Sequence, residues 1–344
     1  MKKKQNSQQA PAEQSQHNKP NGFSIHTAMH LALLVVAVTV VIVIAYRITH
    51  YGQFISQEEI FRDGMGVYDD TMDHILPVLD DKGNIISTGT GKDLTILMFG
   101  NSPLTDDKDS ENGLANMIAA RTGANVINCA VSGSYMGAVQ NPYRADQDPM
   151  DIYTPFWLAT LTTDKNILVS YEDAKEAMGE SLPPEAAEVV ETLSTLDMNT
   201  VDVLVFMYDG TDYLLGHTVF NIDNSTDIVT FNGNMEAAIE LIQNNYPHIR
   251  IIVMSPAYAF GIDENGDYIS SDIKTYGGQH FLSVYTGLQF ESCLNRGVTY
   301  VDNIYGTITE DNATEYLTDN IHLNVEGRKL MADRLIYALT YYDC

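Results

Sequence analysis

Leu94-Thr95-Ile96-Leu97-Met98-Phe99 is a run of six apolar or β-branched residues, closed by Gly100. A short run without polar alternation suits a strand covered on both faces, the kind that parallel sheets contain. Similar runs at Asn125–Val131, Val201–Tyr208, Ile249–Ser255 and Val298–Val301 predict four more strands. Helical stretches fall between them: Gly113–Arg121, then Met235–Asn245 ahead of the fourth strand and Tyr276–Asn295 ahead of the fifth. Strand and helix alternating at this spacing predict an α/β fold, a three-layer α/β/α sandwich around a central parallel sheet. The expected folded domain spans residues 93–344. Residues 143–200 exceed what a plain crossover needs and are expected to carry insertions, including Trp157, the one tryptophan.

Ahead of this domain lies a segment of another kind. Residues 1–26 are polar and rich in Gln, Asn, Lys and Pro, a composition that cannot bury a core. Ala28–Tyr46 then carries no charge, and as a helix it would reach about 28 Å, close to the hydrocarbon thickness of a bilayer. Residues 27–46 are therefore expected to form a transmembrane anchor. The residues after it are bulky, so a cleaved signal peptide is the poorer reading. Lys2, Lys3, Lys4 and Lys19 precede the span, which places the tail in the cytoplasm and the large domain outside the cell membrane. Residues 47–92 read as a stalk leading into the domain.

Beyond residue 46 stand 15 of the 19 basic residues and 45 of the 46 acidic ones, a formal charge near −30. Phosphates would be repelled, so nucleic acid is not an expected partner. The three cysteines, Cys129, Cys293 and Cys344, have no short spacing, which excludes a disulfide framework and a zinc knuckle. Cys129 lies in an apolar segment and is expected to be a buried thiol; one bridge among the three stays open. Asp263-Glu264-Asn265-Gly266-Asp267 starts like a calcium loop, but Tyr268 stands where that loop needs glycine. Asn265-Gly266 is better read as a hairpin turn. No metal or cofactor is expected.

Chemistry enters at the turns. Ser102 follows the first strand within Gly100-Asn101-Ser102-Pro103, where open α/β sheets place their ligands. Near the other end of the chain, Asp319 precedes His322 by three residues. A carboxylate at that spacing can hold one imidazole nitrogen while the other takes a serine proton. Ser132-Gly133-Ser134 follows the second strand, and Tyr208-Asp209-Gly210-Thr211-Asp212 follows the third. The plainer alternatives are a capping serine at 102, a tight turn at Gly133, and capping roles for Thr211 and Asp212. The ordered set resembles the SGNH/GDSL hydrolase superfamily over residues 93–343. Gly100-Asn101-Ser102 stands for Gly-Asp-Ser, Asn128–Gly133 for the block with an oxyanion glycine, Asp209–Asp212 for Gly-x-Asn-Asp, and Asp319–Asn324 for the Asp-x-x-His block.

The resemblance implies a Ser102 nucleophile, a His322 base and an Asp319 orienting group. It implies an oxyanion hole from the backbone of Ser102 and Gly133 with Thr211 as third donor. Two departures stand out. Asn101 replaces the family aspartate, and Thr211 replaces the family asparagine, whose amide is a better-aimed donor. Asp209 and Asp212 also bring negative charge towards a developing oxyanion unless they point away. The expected activity is that of a membrane-anchored serine esterase or O-acyltransferase. Its expected substrates are acylated small molecules or cell-envelope glycans. The alternatives are a weak or inactive module that binds glycan or a partner protein, and a metal-dependent hydrolase using Asp209, Asp212, Asp319 and His322. Asn324 is the expected N-cap of a last helix that packs Val325, Leu330, Met331, Leu335 and Leu339 on the sheet.

Overall fold

The computed structural model describes residues 72–78 and 93–343, together with His30, Leu34, Val38 and Val41. Those four positions are helical and belong to a first unit, residues 1–67; a second unit spans residues 68–344. The expected anchor at 27–46 otherwise lies outside the described residues, as do the rest of the stalk and Cys344. Among the described residues no helix is long and apolar enough to cross a membrane.

Five parallel strands form the central sheet: β1 (Thr95–Gly100), β2 (Asn125–Asn128), β3 (Val203–Met207), β4 (Arg250–Met254) and, later in the chain, Thr299–Val301. Between the last two lies a small antiparallel ribbon of β5 (Gly261–Ile262) and β6 (Tyr268–Ile269), so Thr299–Val301 is β7. The order is β2-β1-β3-β4-β7. Ile96–Phe99 of β1 are fully buried and β3 nearly so, as a sheet covered on both faces requires.

Among the described residues of the second unit ten helices surround these strands: α1 (Ser102–Thr105), α2 (Leu114–Thr122), α3 (Pro155–Thr163), α4 (Leu168–Met178), α5 (Ala186–Thr195), α6 (Thr211–Leu215), α7 (Phe231–Asn245), α8 (Leu282–Arg296), α9 (Ala313–Tyr316) and α10 (Val325–Thr340). From β1 the chain steps one way to β2 through α2. It then steps the other way to β3, β4 and β7. Right-handed crossovers put these two directions on opposite faces. Accordingly α2 packs with α10, while α7 packs with α3 and α8. The reversal beside β1 opens a crevice at the carboxyl ends of β1 and β3, the usual ligand position in such sheets.

Each predicted strand exists, shortened by one to three residues at its ends. Asn125–Val131 loses its last three residues as strand, yet Cys129 and Val131 N–H still bond to β1 carbonyls. The predicted helix from Tyr276 starts only at Leu282, because Gly277 and Gly278 hold φ of +56° and +73°. The 143–200 insertion is three helices with short 3₁₀ turns, and Trp157 sits on α3 against Phe156 and Tyr143. Residues 72–78 guard the β7 edge: His74 and Tyr300 exchange two backbone hydrogen bonds of 2.9 Å, and Met72 and Ile75 are buried. Asn265-Gly266 does turn the β5–β6 ribbon. Cys129 and Cys293 are buried and unbridged, and burial pushes the Cys129 thiol up to about 12.

Candidate active site

Four turns meet at the carboxyl end of the sheet. The first carries Ser102. Gly100 pairs with Met207 of β3, and a side chain there would strike the Met207 carbonyl, so glycine lets the strands close up just before the turn. Asn101 then caps α1 and Ser102 opens it, with Pro103 next. Ser102 is 9% exposed.

Asn101 is fully buried and acts as a strut between turns. Its amide donates to Asp209 Oδ1 at 2.8 Å and to the Ser134 carbonyl at 2.9 Å, while its own oxygen accepts the Asp209 N–H at 2.9 Å. The turns after β1, β2 and β3 are thereby tied by one side chain. A family-like aspartate could not do this, since it has no amide to donate.

The second turn presents Gly133 at φ +73°, with open space where a Cβ would be. Its flanks are fixed from two sides. Glu185 accepts the Ser132 N–H. Asp212 accepts the N–H groups of Met136 and Gly137 at 2.8 and 2.9 Å, and touches His217 Nδ1 at 3.0 Å. Asp212 is thus turned away from Ser102 and serves the glycine loop. Burial opposes charge on His217, but the bond and charge of Asp212 outweigh it and raise its pKa.

Asp209 behaves differently. It is buried with its Oδ1 receiving the Asn101 amide and, at 3.0 Å, the Thr211 N–H. The Thr211 and Ser102 hydroxyls lie close enough to steady its charged form, although Oδ2 has no hydrogen bond of good geometry. Burial prevails over these donors, and the Asp209 pKa is raised. The structure therefore separates the two carboxylates: Asp212 is aimed elsewhere, and Asp209 is in the site. Thr211 faces Asp209, so the position expected to supply a third oxyanion donor is engaged by a carboxylate.

The fourth turn holds the dyad. Asp319 Oδ2 and His322 Nδ1 are 2.7 Å apart, and Asp319 Oδ1 accepts the N–H groups of Ile321 and His322. Partial burial opposes the Asp319 charge, but these donors win and lower its pKa. Partial burial likewise opposes charge on His322. The bond and charge of Asp319, then the charges of Asp106 and Asp209, overcome it and raise the imidazole pKa. His322 Nε2 has no hydrogen-bond partner among the described residues.

Sequence reasoning passed over two residues. Asp106, at the end of α1, is half-buried, and burial raises its pKa against the pull of His322 and Arg328. Arg328 on α10 is buried and donates to the carbonyls of Asn112 and Leu323, both at 2.8 Å, and to Asp107. It clamps the His322 loop to the segment after α1. No local motif marks such a residue, because two of its three partners, Asn112 and Asp107, lie about 220 positions upstream. Beside the site lies a cleft of about 560 Å³, lined by residues 105–110, Ser132, Pro184 and Glu185. No group of residues suited to a metal is found among the described residues, and the residues at 263–267 bond to one another within their turn.

No protein-family model matches the chain, nor does any curated protein. It is similar to several solved structures. A carbohydrate acetylesterase from Sinorhizobium meliloti is 14% identical, with TM-score 0.39, covering 71% of this chain and 96% of its own. A Parabacteroides merdae protein described as GDSL-like is 15% identical, with TM-score 0.41, covering 74% and 99%. A family two carbohydrate esterase from Clostridium thermocellum is 17% identical, with TM-score 0.41, covering 76% and 67%.

Proposed function

We propose that this chain is a membrane-anchored, extracytoplasmic serine esterase or O-acyltransferase acting on acyl esters of cell-envelope glycans. One observation carries the reading. His322 is held by Asp319 at 2.7 Å with no hydrogen bond at Nε2 among the described residues, and Asp209, which Asn101 ties to the turn bearing Ser102, adds its charge to those that raise the imidazole pKa. In the proposed reaction Ser102 Oγ attacks the ester carbonyl, giving its proton to His322 Nε2. The tetrahedral oxyanion faces the N–H groups of Ser102 and Gly133. Collapse expels the alcohol, which takes the proton from His322, and leaves an acyl-Ser102. Water or a sugar hydroxyl then attacks by the same steps in reverse. Asp319 fixes the imidazole tautomer and stabilises the imidazolium. The uncharged stretch at 27–46 and the lysines before it support the tether and its orientation.

A second reading is favoured by Asp209 itself. A carboxylate beside the oxyanion position, in place of an amide donor, suits a slow enzyme or a binding module that has kept the fold. The test uses a 4-nitrophenyl acetate assay and a fluorophosphonate probe, on the wild type and Ser102→Ala. Turnover and labelling that both vanish in the variant support the esterase. A folded wild type with neither supports the binding module. Survival of turnover after chelation separates the esterase from a metal-dependent hydrolase.

A further inference from the structure

The β5–β6 ribbon leaves the sheet next to the catalytic loop. The Phe260 N–H donates to the Asn320 carbonyl at 3.1 Å, and the Asn320 amide donates to the Phe260 carbonyl at 3.0 Å. Asn320 lies between Asp319 and His322. On the other side, a side chain added at Gly210 would meet Ala259 at 2.8 Å and Ile321 at 4.0 Å, so the root of the ribbon is wedged between the Thr211 turn and the dyad.

Ile262 and Tyr268 are cross-strand partners and project from the same side of the ribbon. They are 49% and 50% exposed. The Tyr268 ring lies 4.9 Å from that of Phe260, which in turn lies 6.4 Å from that of Tyr258. The Tyr268 hydroxyl is held by Tyr258 at 2.6 Å and donates to Glu310. These contacts fix the ring while half the residue stays open to solvent. The rim is polar: Glu310, Ser270 and Asn320 border the aromatic strip. Phe260 packs partly against the core, and among the described residues the outer faces of Ile262 and Tyr268 are left uncovered.

We propose that Phe260, Ile262 and Tyr268 form a platform for a ring of a neutral glycan, beside the ester that Ser102 attacks. A pyranose offers an apolar C–H face and a rim of hydroxyls, which matches an aromatic strip bordered by a carboxylate and an amide. A pre-fixed ring loses little freedom on binding. A polyanionic glycan is disfavoured by Glu310 and by the charge near −30 beyond residue 46. An acyl chain would call for an enclosed apolar pocket, and this strip is open. The position of the sugar relative to the ester rests on the esterase reading above; the platform itself does not.

The full-length protein in detergent micelles tests this. Partially O-acetylated xylohexaose and 4-nitrophenyl acetate are compared as substrates for the wild type, Tyr268→Ala and Tyr268→Phe. Tyr268→Ala is expected to lower kcat/KM for the hexasaccharide relative to the small ester about tenfold, through KM, the size of loss that one aromatic contact gives. Tyr268→Phe, which keeps the ring, is expected to stay within about twofold. Binding of unacetylated xylo-, cello- and chitohexaose is measured in parallel by calorimetry on Ser102→Ala, with and without Tyr268→Ala. Loss of binding on removing the ring supports the platform even if no ester is turned over, in which case the esterase reading alone fails. Ester turnover with hexasaccharide KM and binding unaffected by Tyr268→Ala overturns the platform and leaves the esterase standing. Absence of binding to all three hexasaccharides also overturns it.

Discussion

Placing an aspartate at position 101, as in the Gly-Asp-Ser block that this turn resembles, is expected to damage this protein. In Asn101→Asp the amide that donates to Asp209 and to the Ser134 carbonyl becomes an oxygen facing both, at the present 2.8 and 2.9 Å. The Ser134 carbonyl then stays buried without its donor, which costs about 1–3 kcal/mol. The two carboxyls cannot both ionise at that distance, so the folded pair retains a proton and titrates at a raised pKa. Burial already raises the pKa of Asp209, which adds to the effect. For a raised folded-state pKa the sign is fixed. The stability is fully present below the unfolded carboxylate value of about 3.9 and is lost as pH rises through the folded value. The deficit against the wild type should therefore widen from about 1–3 kcal/mol near pH 5 to about 3–5 kcal/mol near pH 8, where the lost bond to a charged acceptor adds in. Asn101→Asp/Asp209→Asn restores an amide–carboxylate contact between the two turns but not the Ser134 contact. It should recover roughly half of the loss. Urea unfolding followed by Trp157 fluorescence at several pH values reads this as a midpoint shift at constant slope. A deficit that does not grow with pH, or a double variant no better than the single one, would refute the argument.

Four further outcomes follow from the same geometry. The acidic limb of kcat/KM should lie above the ordinary histidine value of about 6.5, since carboxylates raise the His322 pKa and only the neutral imidazole can take the serine proton. Asp319→Asn should move that limb down and cut turnover about 10²–10⁴-fold, as read from pH–rate profiles. Asp212→Ala leaves two loop N–H groups unpaired, so about 2–4 kcal/mol of stability and amide-exchange protection at residues 134–138 should fall together. Arg328→Met abandons the Asn112 and Leu323 carbonyls and should cost about 2–4 kcal/mol in urea unfolding, with a lower kcat because Leu323 adjoins His322.

The order of strands and helices was legible in the chain because its signals are local. A sheet buried on both faces must be apolar along its whole length, and Ile96–Phe99 and Val203–Met207 are. The Asp319–His322 contact was legible too, since a three-residue spacing brings the two groups together wherever the loop lies. Asn324 likewise caps α10 through its own sequence neighbours, accepting the Gly327 N–H at 2.9 Å. The diverging fates of Asp209 and Asp212 were not legible. They stand three residues apart on one turn. Which of them faces Ser102 depends on Asn101, 108 positions from Asp209, and on the Met136–Gly137 amides, about 75 positions from Asp212. The same holds for Arg328, whose carbonyl and carboxylate partners come from both ends of the domain. Sequence alone determined the elements and their order, because hydrophobic period and turn chemistry act over a few residues. Only the tertiary structure decided the electrostatics of the site, because charges interact through space and their burial is set by the whole fold.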